Sequence, residues 1–157
     1  MHKPLVGSQA YARTQAAIAA PIVDVYQMDL VGYNVNPPRS FEVHVGYQAS
    51  ANIQKRSLVL AKRLQQLVSV LSPNLQSPQI YTQPDPAQGR SDRASFHQRG
   101  YAACVTLEDF FAGPLPTSPT AEPNSNYHRD GDTFVDFDYA ADIARLVGTA
   151  AWLTANL

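Results

Sequence analysis

The chain has 157 residues, 45% of them hydrophobic and 16% charged, which suits one globular domain with a buried core. The formal net charge is -1 and the cationic residues are scattered, which excludes a basic surface for nucleic acid. No run approaches the roughly 20 apolar residues of a membrane-spanning helix. The single cysteine, Cys104, excludes internal disulfides and cysteine-rich zinc sites, and its apolar neighbours predict a buried, inert thiol.

The first half of the chain alternates helical and strand patterns. Strict alternation over residues 41–47 predicts a half-buried strand, with His44 on its polar, exposed side. The long helix that follows has apolar residues at three- and four-residue spacing on one face. The expected elements are a helix over residues 8–20 with Ser8 as N-cap, a buried strand over 22–30, a loop over 32–40, a strand over 41–47 and a helix over 52–71.

The second half continues the same alternation. His97 falls on a short helix, where a partly exposed position is expected. The expected elements are a strand over residues 79–82, a helix over 91–99 closed by Gly100, a strand over 101–107, a surface loop over 113–126 and a helix over 138–156. Helices that alternate with strands in this way predict a layered α/β sheet.

Asp29 is the first candidate for chemistry. It lies near the carboxyl end of an apolar strand and is followed by Gly32 and a loop. In open α/β sheets, binding sites form at the carboxyl ends of strands, and a carboxylate buried there is paired or metal-bound. An aspartate that caps the following turn is the alternative, and the residues alone favour that interpretation.

His128 is the second candidate. It lies at the end of the long loop, and Asp130 or Asp132 is near enough in sequence to orient one of its ring nitrogens. Histidine is the commonest metal ligand, but the residues alone favour a surface histidine beside a turn. The sequence contains no Gly-rich phosphate loop, no serine elbow and no pair of metal-binding histidines at helical spacing.

Four segments in order carry a family resemblance. They are residues 5–12 (LVGSQAYA), 25–33 (VYQMDLVGY), 91–96 with 99–103 (SDRASF and RGYAA) and 126–133 (NYHRDGDT). Together they resemble the co-catalytic di-zinc aminopeptidases, exopeptidases related in fold to glutaminyl cyclases. The first segment is similar to the one that directly follows the Glu-Glu motif of that family.

This resemblance implies a fold and a set of roles. Residues 1–157 would be the C-terminal portion of a catalytic domain, a partial three-layer αβα sandwich with a mixed, mostly parallel sheet whose N-terminal half is absent. Asp29 would bind one zinc ion and His128 the other. Tyr127 would line the substrate pocket, and Asp132 would support His128 or, as slightly favoured, shape its turn. Arg93 stands where the family usually has His, which puts the site-lining role of that segment in doubt.

The resemblance also implies a function with parts missing from this chain. In the family, two zinc ions activate a water that attacks the first peptide bond of a substrate with a free N-terminus. The remaining ligands, a His, a bridging Asp and a Glu, and also the Glu general base, would lie upstream, so this chain contains no catalytic residue of its own. Because a catalytic zinc takes about three protein ligands, the isolated chain is expected to be inactive.

Two other functions remain open. One is a non-catalytic binding module of the same fold, and the other is a glutaminyl-cyclase-like acyltransferase that uses one zinc ion. Possible partners of the chain are the peptide substrate and the missing half of the domain, without which raw sheet edges would promote aggregation. Localisation is also open, since the family is usually secreted or periplasmic but the first residues show no signal peptide.

Overall fold

A four-stranded sheet with helices packed against it forms the structure, a computed structural model that describes residues 5–111 and 121–156. Of the loop expected over residues 113–126, residues 113–120 lie outside that description. The elements in chain order are α1 (Val6–Ala17), β1 (Val25–Met28), β2 (Phe41–His44), α2 (Ala51–Leu71), β3 (Gln79–Tyr81), α3 (Arg93–His97), β4 (Ala103–Glu108) and α4 (Phe137–Ala155).

The strand order is β1-β4-β2-β3, with β1 parallel to β4, β2 parallel to β3, and β2 antiparallel to β4. The expected mixed, mostly parallel sheet is therefore confirmed. Because β1 and β4 are parallel, their carboxyl ends, Met28 and Glu108, meet at one edge of the sheet. The antiparallel pairing places Phe41, the first residue of β2, opposite Glu108 at that same edge.

Helices α2 and α4 cover one face of the sheet, because each presents an apolar stripe to it. Each helix also begins at a polar N-cap. Ser50 Oγ accepts from the N–H of Ile53, and an Asp136 carboxylate oxygen accepts from the N–H of Tyr139. Their buried side chains pack against alternate residues of β2 and β4; the shared core includes Phe41, Val43, Leu60, Leu64, Cys104, Ile143 and Leu146. No helix among the described residues has the length and apolarity needed to cross a membrane.

The opposite face is covered by α3, on which α1 packs, and by residues around Ala87 and Phe111. This third layer confirms the αβα arrangement. It also explains why every residue of β2 is buried, although alternation predicted a half-buried strand. The expectation of an exposed His44 was wrong: its side chain is fully buried among polar groups that come from distant parts of the chain.

The expectation of a partly exposed His97 was also wrong. The residue is 1% exposed, with Nε2 2.9 Å from the carbonyl oxygen of Ala103 and 3.1 Å from Ser57 Oγ. A five-residue helix that packs on the sheet hides this side chain, because α3 has neighbours on more than one side. Burial, reinforced by the charge of Arg93, lowers the pKa of His97 to about 4.

Other expectations concern element ends and the thiol. Helix α1 begins before Ser8, whose hydroxyl donates to the carbonyl of Leu5 within the first turn and so does not cap the helix. Strand β1 is shorter than expected.

The inert, buried thiol is confirmed: Cys104 is 1% exposed, and burial raises its pKa to about 12.

Candidate functional site

Asp29 lies where β1 leaves the sheet. Its N–H still donates to the carbonyl of Thr106 on β4 at 3.1 Å, so the backbone remains paired up to this residue. Leu30 then takes a left-handed conformation with φ of 51°, which turns the chain away from the sheet. The N–H of Glu108 donates to the carbonyl of Leu30 at 2.8 Å and fixes that turn. Asp29 is thus held on a defined backbone at the carboxyl edge of the sheet.

Glu108 supports the same turn from inside and was not among the residues selected from the sequence. It ends β4, is 3% exposed, and one carboxylate oxygen accepts from the N–H of Tyr33 at 2.7 Å. Burial raises its pKa to about 7, although backbone N–H groups of Gly32 and Tyr33 act in the opposite direction. The signal that could have found it is the one that found Asp29, an acidic residue at the end of an apolar strand.

His128 lies on an exposed turn with a left-handed φ of 59°. Its ring stacks on that of Tyr127, with 3.9 Å between centroids and 23° between planes. Tyr127 in turn packs edge to face with Phe110, which follows β4, with 5.1 Å between ring centroids. Two aromatic contacts therefore connect His128 to the same edge of the sheet that carries Asp29 and Glu108.

Asp29 is partly buried and lies near other charged side chains. The pKa of Asp29 lies above its ordinary value because the protein partly desolvates the carboxyl and Asp92 adds a second negative charge, while His128 acts in the opposite direction. Burial and the negative charge of Asp29 also raise the pKa of the adjacent Tyr127. The fold therefore brings the end of β1 and the distant turn of His128 to one location. Their roles as zinc ligands remain predictions.

A carboxylate and an imidazole are both donors that zinc accepts. Among residues 5–111 and 121–156, however, no group of three or more His, Cys, Asp or Glu side chains is arranged to hold a metal ion. Catalytic zinc sites use about three protein ligands. The donors fit zinc in kind and fall short in number, so the described residues do not form a complete catalytic metal site.

The remaining candidates divide between the turn and the interior. Asp132 accepts a hydrogen bond from Asn124 Nδ2 at 2.6 Å and its N–H donates to the carbonyl of Arg129, contacts that shape the turn. Arg93 is 1% exposed and points into the interior, where Nη2 lies 2.9 Å from Asp85 Oδ2. This placement agrees with the doubt about Arg93 as a site-lining residue.

Comparison with known proteins adds a family and a fold. Residues 3–151 match the sequence model of peptidase family M28. Two structures of Legionella pneumophila LapA superpose on this chain, each with a TM-score of 0.63. The first, described as an aminopeptidase, is 18% identical over 98% of this chain and 35% of its own. The second is 22% identical over 96% of this chain and 37% of its own. BSAP, a zinc aminopeptidase from Bacillus subtilis, gives 0.60 at 18% identity, over 96% of this chain and 32% of its own.

An aminopeptidase from Aneurinibacillus sp. strain AM-1 is also similar in fold, with a TM-score of 0.55 at 20% identity over 96% of this chain and 30% of its own. No curated protein matches the sequence. The chain spans about a third of the length of the solved structures that it matches.

Proposed function

The chain belongs to peptidase family M28, and from this premise we propose that it forms part of a zinc-dependent aminopeptidase that hydrolyses the N-terminal peptide bond of its substrate. One observation carries the proposal: at the carboxyl edge of the sheet, the N–H of Asp29 donates to the carbonyl of Thr106 of β4, and Phe110, which follows β4, packs on Tyr127 beside His128. This is the edge at which open α/β sheets bind their ligands.

In this proposal, Asp29 contributes one ligand to one zinc ion, and His128 contributes one ligand to a second zinc ion. Zinc supplies Lewis-acid chemistry and lowers the pKa of a bound water. The residues of this chain orient the donors: Glu108 fixes the turn after Asp29, and Tyr127 stacks on His128 and lines the pocket for a peptide with a free N-terminus. The other ligands and the Glu general base come from a polypeptide that completes the site.

The free edge of β1 is the surface proposed to receive that polypeptide. In the described sheet, β1 pairs with β4 on one side and is the terminal strand. Met28 on this strand is 46% exposed, and Val23, just before the strand, is 61% exposed. Trp152 of α4 is 64% exposed. This chain covers about a third of the relatives of similar fold, so the remaining part of such a domain is what would pack against this edge.

A non-catalytic module of the same fold is the second candidate. The observation that favours it is the lack, among the described residues, of three grouped metal-binding side chains. Such a module would bind a partner through the free edge of β1 without hydrolysing it. The two candidates differ in whether the completed protein turns over substrate, which gives a direct test.

A zinc titration of the chain combined with a polypeptide that carries the missing ligands, followed residue by residue by NMR, tests the ligand assignment. We expect the signals of both Asp29 and His128 to respond to zinc, and Asp29→Asn to weaken binding of one ion by about tenfold or more. Asp138→Asn is the matched control, because Asp138 is an exposed aspartate on α4. Equal binding by the two variants would exclude Asp29 as a ligand.

Hydrolysis of aminoacyl-p-nitroanilides tests the reaction. We expect no turnover by the isolated chain, and zinc-dependent turnover once the chain is combined with a polypeptide that carries the missing ligands and the Glu base. A completed protein that binds zinc without turnover would support the non-catalytic module. Cyclisation of N-terminal glutamine without anilide hydrolysis would instead indicate an acyltransferase.

A further inference from the structure

Four titratable side chains form a continuous hydrogen-bonded series inside the molecule. Arg93 Nη2 lies 2.9 Å from Asp85 Oδ2, Asp85 Oδ1 lies 2.8 Å from His44 Nδ1, and His44 Nε2 lies 2.9 Å from Glu42 Oε2. Exposure is 0% for Glu42 and His44, 1% for Arg93 and 8% for Asp85. Buried charges are costly unless paired, and here each acidic group has a basic neighbour. We call these four residues the buried charge series.

The histidine is held between two acceptors. Burial alone would lower the pKa of His44, but its hydrogen bonds to Asp85 and Glu42 outweigh burial and raise that pKa above the ordinary value. Asp85 is in turn fixed by the backbone N–H groups of Gly46 and Ala87, both at 2.8 Å. One end of the series is thus anchored to the backbone at several points.

The other end of the series fixes Phe111. Glu42 Oε1 accepts from the N–H of Phe111 at 2.9 Å, and the hydroxyl of Tyr81 donates to the carbonyl of Phe111 at 2.9 Å. The rings of Phe111 and His44 also pack edge to face, with 5.5 Å between their centroids. The N–H, the carbonyl and the side chain of Phe111 are therefore all held in place by buried partners.

From Phe111 the contacts continue to the candidate site. The rings of Phe110 and Phe111 pack edge to face at 4.9 Å, and Phe110 packs in the same way on Tyr127 at 5.1 Å. Tyr127 stacks on His128. Because His128 is on an exposed turn, its ring orientation depends on this stack, and the stack depends on where Phe110 lies.

We propose that Glu42 is a positioning residue for His128: by fixing Phe111, it places Phe110 against the Tyr127–His128 stack. The role of His128 as a zinc ligand rests on the proposed function. The packing sequence itself requires no metal and is measurable in the metal-free chain.

The test compares two substitutions of Glu42 by NMR of the His128 ring in the metal-free chain. Glu42→Met keeps the length and removes the acceptor for the Phe111 N–H; we expect loss of the upfield ring-current displacement of the His128 protons and loss of their contacts with Tyr127. Glu42→Gln keeps an oxygen for the Phe111 N–H, and its amide donates to Nε2 of His44 once that ring is neutral with its proton on Nδ1 toward Asp85, so this variant should retain both signals.

Two further variants guard against a merely structural effect. Phe110→Leu leaves the buried charge series intact and should also abolish the His128 displacement, and it decides the question if Glu42→Met does not fold. Ser57→Ala removes a buried hydroxyl that accepts from the N–H of Ala103, far along β4 from Phe111, and should lower stability without moving the His128 signals.

The proposal is overturned if Glu42→Met or Phe110→Leu lowers stability while the His128 ring signals stay unchanged. Failure of the proposed function gives a different result, since it appears in the wild-type chain, combined with a polypeptide that supplies the missing ligands, as His128 signals that do not respond to zinc. A completed protein in which Glu42→Met shifts the His128 signals but zinc does not would support the positioning role and reject the ligand assignment.

Discussion

The backbone N–H of Gly46 donates to Asp85 Oδ2 at 2.8 Å, next to the ion pair between Asp85 and Arg93. This approach is possible because residue 46 has no side chain. A Cβ placed there would lie 2.1 Å from the carbonyl oxygen of Thr82 and 2.3 Å from the Cβ of Asp85. Gly46 therefore allows the segment after β3 to pack directly on the end of β2.

The first prediction follows from that contact. Gly46→Ala should destabilise the chain by about 3 kcal/mol, since the new methyl would displace backbone and the buried Asp85. Urea unfolding measures the change. Gly148→Ala is the control: residue 148 is exposed on α4 with nothing within 4 Å of an added Cβ, so it should stabilise by about 0.5–1 kcal/mol. Equal stability of the two variants would contradict the close approach.

The second prediction concerns acid pH and His97. Its folded pKa of about 4 lies below the ordinary 6.5, so the unfolded chain takes up a proton first as pH falls. The stability that neutral His97 contributes is present above about pH 6.5 and is lost as pH falls toward 4, by about 3 kcal/mol in total. As pH is lowered from 7 to 4, the free energy of unfolding should fall more steeply in the wild type than in His97→Gln. Parallel pH profiles would rule this out.

The third prediction compares protonation of two buried histidines. At pH 6, His44 should be protonated, because its carboxylate partners raise its pKa above 6.5, whereas His97 should be neutral. Nitrogen chemical shifts of the imidazole rings distinguish the two states directly. By linkage, the stability from protonated His44 is present below pH 6.5 and lost as pH rises through its raised pKa, the reverse of the sign for His97. A neutral His44 at pH 6 would show that burial prevails over its hydrogen bonds.

The sequence predicted the long helices well, because each contains its own evidence. Helix α2 was expected over residues 52–71 and runs over Ala51–Leu71, and α4 was expected over 138–156 and runs over Phe137–Ala155. In each case a one-sided apolar stripe and an N-cap define the element locally. The family expected from four short segments was also confirmed.

The buried polar residues were not predictable in the same way. His44 lies on the polar side of an alternating strand, and alternation does not reveal that Asp85 and Phe111 will cover that side. Asp85 is separated from it by a helix and a strand, and Phe111 by two helices and two strands, so only the tertiary fold brings them together. Likewise, the contribution of Glu108 to the turn after Asp29 depends on the parallel pairing of β1 and β4.

The fourth prediction concerns the reactivity of Cys104. The thiol is 1% exposed on β4, and burial raises its pKa to about 12, so it is almost entirely protonated at pH 8. Iodoacetamide should leave the native chain unmodified over the time in which the urea-unfolded chain is fully alkylated, as followed by mass spectrometry. Rapid labelling of the native chain would mean that β4 is accessible to solvent.

The last prediction tests how α4 is attached beside the candidate site. Asp136 accepts from the N–H of Tyr139 at 3.0 Å and pairs with Arg39 at 3.1 Å, while its own N–H donates to the carbonyl of Gly32 in the turn after Asp29. Asp136→Ala should cost about 1–2 kcal/mol through the lost cap. Asp136→Asn should recover most of this, because the amide still caps and the partly exposed ion pair contributes little. Urea unfolding of the two variants separates cap from charge: an equal loss in both would assign the stabilisation to the pair with Arg39.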